Sequence, residues 1–138
     1  MKKITIINGP NLNLLGTRET EIYGGRGFDG YLEELRKEFS NYEIIYEQSN
    51  IEGEIVSLIQ KHSADSKAII LNAGGYTHTS VAIHDAIKAV AIPVIEIHIS
   101  QVASREEFRH TSIIGAACKG TISGFGLESY RLGIIAVS

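Results

Sequence analysis

The chain has 138 residues, a formal net charge of −3, and 43% hydrophobic against 21% charged residues. That balance excludes bulk disorder and fibrous repeats, and the length suits a single domain over residues 1–138. No apolar run approaches the roughly 20 residues of a membrane span, and the net negative balance argues against a general nucleic-acid binder. The opening Met1-Lys2-Lys3 and the brief apolar run after it are too short for a signal peptide. The single cysteine, Cys118, cannot form an internal disulfide, which fits a reducing cytoplasm.

The elements alternate along the chain. Residues 3–8 form a β-branched run that reads as strand one. Residues 9–27 are rich in Gly and Asn and carry no period, which suggests a binding loop or lid. Asp29 is placed to cap a helix over 30–40, with Tyr31, Leu32, Leu35 and Phe39 on one face. Residues 42–47 read as strand two. Ser49 and Glu52 have capping-box spacing for a helix running to about residue 62, with Ile51, Ile55, Leu58 and Ile59 inward. Residues 67–72 are strand three, 80–90 a helix with Val81, Ile83 and Ile87 among its apolar positions, and 93–98 strand four. A helical turn at 106–110, a short strand at 120–124 and a helix over 127–137 complete the chain.

Short strands alternating with helices define βαβ units and a parallel sheet covered on both faces. Five strands in this length predict an α/β, flavodoxin-like, doubly wound sheet in three layers. Ligands of such sheets bind beyond the carboxyl ends of the strands. Those ends carry Asn8 and Asn11, then Asn72, His78 and Ser80, then Glu96, His98, Ile99 and Ser100. Amides, hydroxyls and imidazoles suit a small, oxygen-rich anion.

Each residue also has a plainer account. Any one of the asparagines could serve a cap or a turn; three at two ligand-binding edges point to a site. Glu96 and His98 lie two apart on a strand, so they point the same way. A carboxylate beside an imidazole can make a general acid, or only a satisfied polar pair at the sheet edge. His78 stands at a helix start, where Thr79 or Ser80 could simply cap or where the amides and imidazole could bind a ligand. His84 and Asp85 read as solvated helix surface, His62 as surface near a helix end, and Cys118 as an inert apolar residue. Arg18 and Tyr23 share the long loop, where an arginine near a phenol could make it a base. Arg109 is a candidate carboxylate clamp, within a basic segment that otherwise reads as a surface helix.

No Walker or GxGxxG motif opens a helix. A phosphoacceptor domain of this fold needs acidic residues where Asn8 and Asn72 stand, and a flavodoxin needs a hydroxyl-rich loop after strand one. A non-catalytic oligomeric scaffold is the remaining alternative.

These segments resemble the type II 3-dehydroquinate dehydratase family. The resemblance runs from about residue 3 to about residue 132. It rests on Asn8-Gly9-Pro10-Asn11-Leu12-Asn13-Leu14-Leu15-Gly16, Arg18-Glu19, Tyr23-Gly24 and Gln48-Ser49-Asn50-x-Glu52-Gly53. It continues through Asn72-x-Gly74-x-Tyr76-Thr77-His78-Thr79-Ser80, Glu96-x-His98-Ile99-Ser100 and Arg105-Glu106-x-Phe108-Arg109-His110.

The resemblance implies anti elimination of water from 3-dehydroquinate through an enolate, without metal, cofactor or Schiff base, in the shikimate pathway. It implies a homo-oligomer, a dodecamer built as a tetramer of trimers. It makes Tyr23 the base, Arg18 its activator, Asn11 an enolate stabiliser, and His98 the acid with Glu96 as partner. It makes Asn72, His78, Ile99, Ser100 and Arg109 substrate-binding residues. It also moves Asp85 from the solvated surface into a neighbouring subunit's site. Thr20, Ala73 and Gln101 depart from the family's usual proline, proline and asparagine. Loss of proline at 20 is expected to leave a mobile lid and a lower turnover.

Overall fold

A computed structural model describes residues 1–15 and 27–138. Among the described residues are five strands: β1 (Lys2–Asn8), β2 (Tyr42–Gln48), β3 (Ser66–Asn72), β4 (Val94–His98) and β5 (Gly120–Ser123). The described helices are α1 (Phe28–Glu38), α2 (Glu52–Ser63), α3 (Val81–Ala89) and α4 (Glu128–Val137). The strands form one all-parallel sheet in the order β2-β1-β3-β4-β5. This is the flavodoxin-like order, with its switch point between β1 and β3.

Burial on both faces explains the nearly unbroken apolar runs of β1 and β3. Ile4, Ile6 and Ile70 point to one side and pack with Tyr31, Leu32 and Leu35 of α1 and Tyr130 and Ile134 of α4. Ile7, Ile69 and Leu71 point to the other and pack with Ile55 and Ile59 of α2 and Ile83 and Ile87 of α3. The three-layer expectation is therefore met.

Several local expectations are corrected. Helix α1 begins at Phe28 and its cap is Gly27, not Asp29, which sits in the first turn. Phe28 is buried against Tyr46 and Tyr130, with ring centroids 5.0 and 5.1 Å apart. Burying that ring outweighs the local cap preference of Asp29. The expected capping box also differs. Ser49 accepts from the Ile51 amide at 3.0 Å and donates to Glu54, not Glu52, at 2.6 Å. The cap residue is Ile51, whose side chain points outward, 59% exposed. Val81 likewise faces out at 61%, because the inward stripe of α3 is Ile83, Ala86 and Ile87. His62 is buried, not surface, and its Nε2–H donates to Glu47 at 2.6 Å. Pro93 lies outside β4, and the turn expected at 106–110 is a 3-10 turn, Glu107–Arg109. No described helix is long and apolar enough to cross a membrane.

Candidate active site

The strand ends converge on one cleft of about 570 Å³, lined by residues following β1, β3, β4 and β5. The register explains the convergence. Asn8 at the end of β1 pairs with Asn72 at the end of β3. The two chains then stay in contact, because the Gly9 amide donates to the Asn72 carbonyl at 2.7 Å. A Cβ on Gly9 would stand 2.7 Å from the Ala73 carbonyl oxygen, so only glycine permits this approach.

Tyr130 of α4 ties the same edge together. Its hydroxyl donates to Asn8 Oδ1 at 2.7 Å and accepts from Asn72 Nδ2 at 3.0 Å. Asn8 Nδ2 donates in turn to the Tyr46 hydroxyl at 3.2 Å. Asn72 Oδ1 accepts from the Gly74 amide at 3.2 Å. Asn8 is thus a buried framework residue and does not line the cleft, while Asn72 does. Asn8 therefore serves neither a cap nor a turn, but holds the end of β1 through Tyr46 and Tyr130.

Asn11 lines the cleft in the left-handed region, φ 69°, a conformation asparagine tolerates better than most residues. Its amide donates to Asn50 Oδ1 at 3.0 Å, and Gln48 Nε2 donates to the same oxygen at 3.1 Å. Asn50 therefore anchors the turn that presents Asn11.

Glu96 and His98 lie side by side on β4, as their spacing requires. The His98 Nε2–H donates to Glu96 Oε2 at 2.5 Å. Glu96 is 1% exposed and His98 7%. Glu96 also accepts from Ser112 Oγ at 2.8 Å and Thr121 Oγ1 at 2.9 Å. Burial alone would raise the Glu96 carboxyl, but the hydrogen bonds from His98, Ser112 and Thr121 and the charge of His98 hold it below the ordinary value. His98 lines the cleft, and with Nε2 committed to Glu96 its Nδ1 is the nitrogen left for proton exchange.

The His78 ring lies 6.4 Å from the His98 ring at 21° and also lines the cleft. Its Nδ1–H donates to the Thr111 carbonyl at 2.8 Å, which leaves Nε2 to meet a ligand. Ser80 adopts the cap role, accepting from the Ile83 amide at 2.9 Å.

Ile99, Ser100 and Arg109 line the cleft. Arg109 is braced by Glu106 at 3.1 Å. Arg105, read from sequence only as part of a basic surface segment, is a second guanidinium on the cleft and donates to Ser100 Oγ at 3.1 Å. Glu106 is held low by its own backbone hydrogen bond and by the two arginines, so it stays ionised as their brace.

Asp85 does not line this cleft. It stands on the outer side of α3, with 70% of its side chain exposed, next to His84 at 3.0 Å. Arg18 and Tyr23 lie outside the described residues. Ser112 and Thr121 escaped the sequence reading. Only the register Glu96↔Thr121 reveals the second of them, and nothing periodic marks the first.

A flavodoxin-like sheet whose carboxyl edge carries an acid–imidazole pair and two arginines in a polar cleft is the build of an enzyme for small anions. The chain belongs to the class II dehydroquinase family, whose sequence model, "Dehydroquinase class II", matches residues 2–138. It is 51% identical over 140 residues to the 3-dehydroquinate dehydratase of Caldicellulosiruptor bescii, covering 99% of this chain and 97% of that relative. The enzyme of the same name from Caldicellulosiruptor saccharolyticus is 53% identical at the same coverage. The crystal structure of a type II dehydroquinase from Butyrivibrio crossotus superposes with a TM-score of 0.90 at 44% identity, covering 99% of this chain and 97% of that one.

Proposed function

We propose that this chain is a hydro-lyase that eliminates water from 3-dehydroquinate to give 3-dehydroshikimate, through an enolate and with anti geometry, in aromatic amino acid biosynthesis. The observation that carries this reading is the buried Glu96–His98 pair opening onto a cleft that also holds Asn11, His78 and Arg109.

A proton α to a ketone is weakly acidic, so its removal needs both a base and stabilisation of the oxyanion that forms. Tyr23 is the base and Arg18 its activator, by the family resemblance. Asn11 stabilises the enolate. Donors at such an oxygen lower the barrier by about 3 kcal/mol each. Hydroxide is a poor leaving group, so His98, oriented by Glu96, protonates it on departure. Arg109, Ser100 and the Ile99 backbone hold the substrate carboxylate, with the fork of Arg109 suited to its two oxygens. Asn72 and His78 take the remaining hydroxyls.

The reaction as proposed needs no metal or organic cofactor. The enzyme acts in the cytoplasm as a homo-oligomer, a dodecamer assembled as a tetramer of trimers, in which Asp85 completes a neighbour's site. The outward position of Asp85, away from the cleft of its own chain, supports that last role.

The test is to follow the ultraviolet absorbance of the conjugated enone after adding 3-dehydroquinate. Wild type and chelator-treated protein should form the enone at equal rates. Tyr23→Phe and His98→Asn should lose at least a hundredfold in kcat. Absence of enone from wild type would overturn the reading, and a rate abolished by chelator would overturn its metal-free form.

A further inference from the structure

We propose that Ser112 and Thr121 are positioning residues for the general acid, fixing the Glu96 carboxylate and, through it, the orientation of His98. The proposal rests on the reading of His98 as the acid and concerns what holds it in place.

Three segments distant in sequence meet on one carboxylate. Glu96 is on β4, Thr121 is its register partner on β5, and Ser112 precedes the 3-10 turn Ile114–Ala117. Glu96 Oε2 accepts from both His98 and Ser112, while Oε1 accepts from Thr121 at 2.9 Å. The direction of these bonds is determined. The Gly115 amide donates to Ser112 Oγ at 2.9 Å, so the serine proton is left for Glu96. The backbone thus sets the serine, the serine sets the carboxylate, and the carboxylate sets the imidazole.

Gly115 also provides the room. A Cβ there would stand 2.8 Å from Glu96 Oε1 and 2.9 Å from Ser112 Oγ, closer than side-chain carbons come to oxygen.

The titratable groups facing Glu96 are His98 on its own strand and Cys118 on the segment leading into β5. β3 presents Leu71 beside it and β5 presents Thr121. The Cys118 thiol is pushed up to about 12, first by burial and then by the Glu96 charge, so it stays neutral. The two hydroxyls and His98 are therefore what keep Glu96 ionised. Removing a hydroxyl makes the carboxylate more basic and freer to turn.

The experiment compares Ser112→Ala, Thr121→Val and Thr121→Ser with wild type and His98→Asn, reading kcat, KM and the pH profile of kcat. The expected result for Ser112→Ala and Thr121→Val is a fall in kcat of about tenfold. KM should stay within about twofold of wild type, because neither hydroxyl lines the cleft. The acid limb of the profile should move to higher pH, and Thr121→Ser should restore both rate and profile. The proposal is overturned if the two variants keep the wild-type rate and profile while His98→Asn is inactive; the reading of His98 then stands. It is also overturned if kcat falls with an unmoved acid limb and no rescue by Thr121→Ser, the pattern of general loosening. Full activity in His98→Asn would sink the reading of His98 and this inference with it.

Discussion

At the scale of single residues, the site depends on one buried carboxylate. Glu96 sits where burial should neutralise it, yet three donors hold its carboxyl below the ordinary glutamate value of 4.5. A group whose folded value is depressed adds stability above its unfolded value and loses it as pH falls through the folded one. Glu96 therefore stabilises the fold at neutral pH; that contribution begins to fall below about pH 4.5 and is gone only below the depressed folded value. Glu96→Gln keeps the volume and removes the charge. Its melting temperature should lie below that of wild type at pH 7, and the gap should close as the pH falls below that value. Calorimetry across the acid range checks this, and a gap independent of pH would show that the stabilisation is packing rather than charge. The same variant should lose about a hundredfold in kcat, because a neutral amide cannot hold the imidazolium that the leaving hydroxyl requires.

At the scale of elements, α4 locks the sheet at its switch point. Its Tyr130 hydroxyl bridges Asn8 and Asn72, the last residues of β1 and β3. Tyr130→Phe leaves both amides short of a partner in a buried place. It should cost about 1–3 kcal/mol, read as a lower urea midpoint with an unchanged slope; an unchanged midpoint would mean that water replaces the hydroxyl. Elements were legible from sequence where the physics is local. Strands buried on both faces announce themselves as apolar β-branched runs, as in residues 67–72, and Ser80 caps α3 where its spacing allows. Two of the failures are tertiary. Phe28 starts α1 early because Tyr46 and Tyr130 receive its ring, and His62 is buried because Glu47 of β2 reaches it. Glu96 and His98 could be read because two residues on one strand share a face. Ser112 and Thr121 could not, since their roles exist only once β5 lies beside β4.

At the scale of the whole molecule, strand order explains why the cleft is where it is, and the proposed assembly bears on Asp85, which the cleft of this chain does not include. The order β2-β1-β3-β4-β5 gathers the carboxyl ends of β1, β3 and β4, and with them Asn11, Asn72, His78, His98 and Arg109. Among the described residues, Asp85 is one of the proposed site that lies away from the cleft, because α3 starts at the cleft and carries position 85 along the outer layer. If Asp85 acts, it acts on a second copy, so the active form must be oligomeric. Mass by light scattering should come out twelvefold above the 15.1 kDa of one chain. Co-expression of two inactive variants then separates the possibilities. In a mixed assembly of Asp85→Ala and Tyr23→Phe chains, some sites combine an intact Tyr23 with a neighbour's intact Asp85. With random mixing about one quarter of sites do so, and activity should return to about that fraction of wild type. Were Asp85 to serve its own chain, no pairing would assemble a complete site, and the mixture would stay as inactive as its parts.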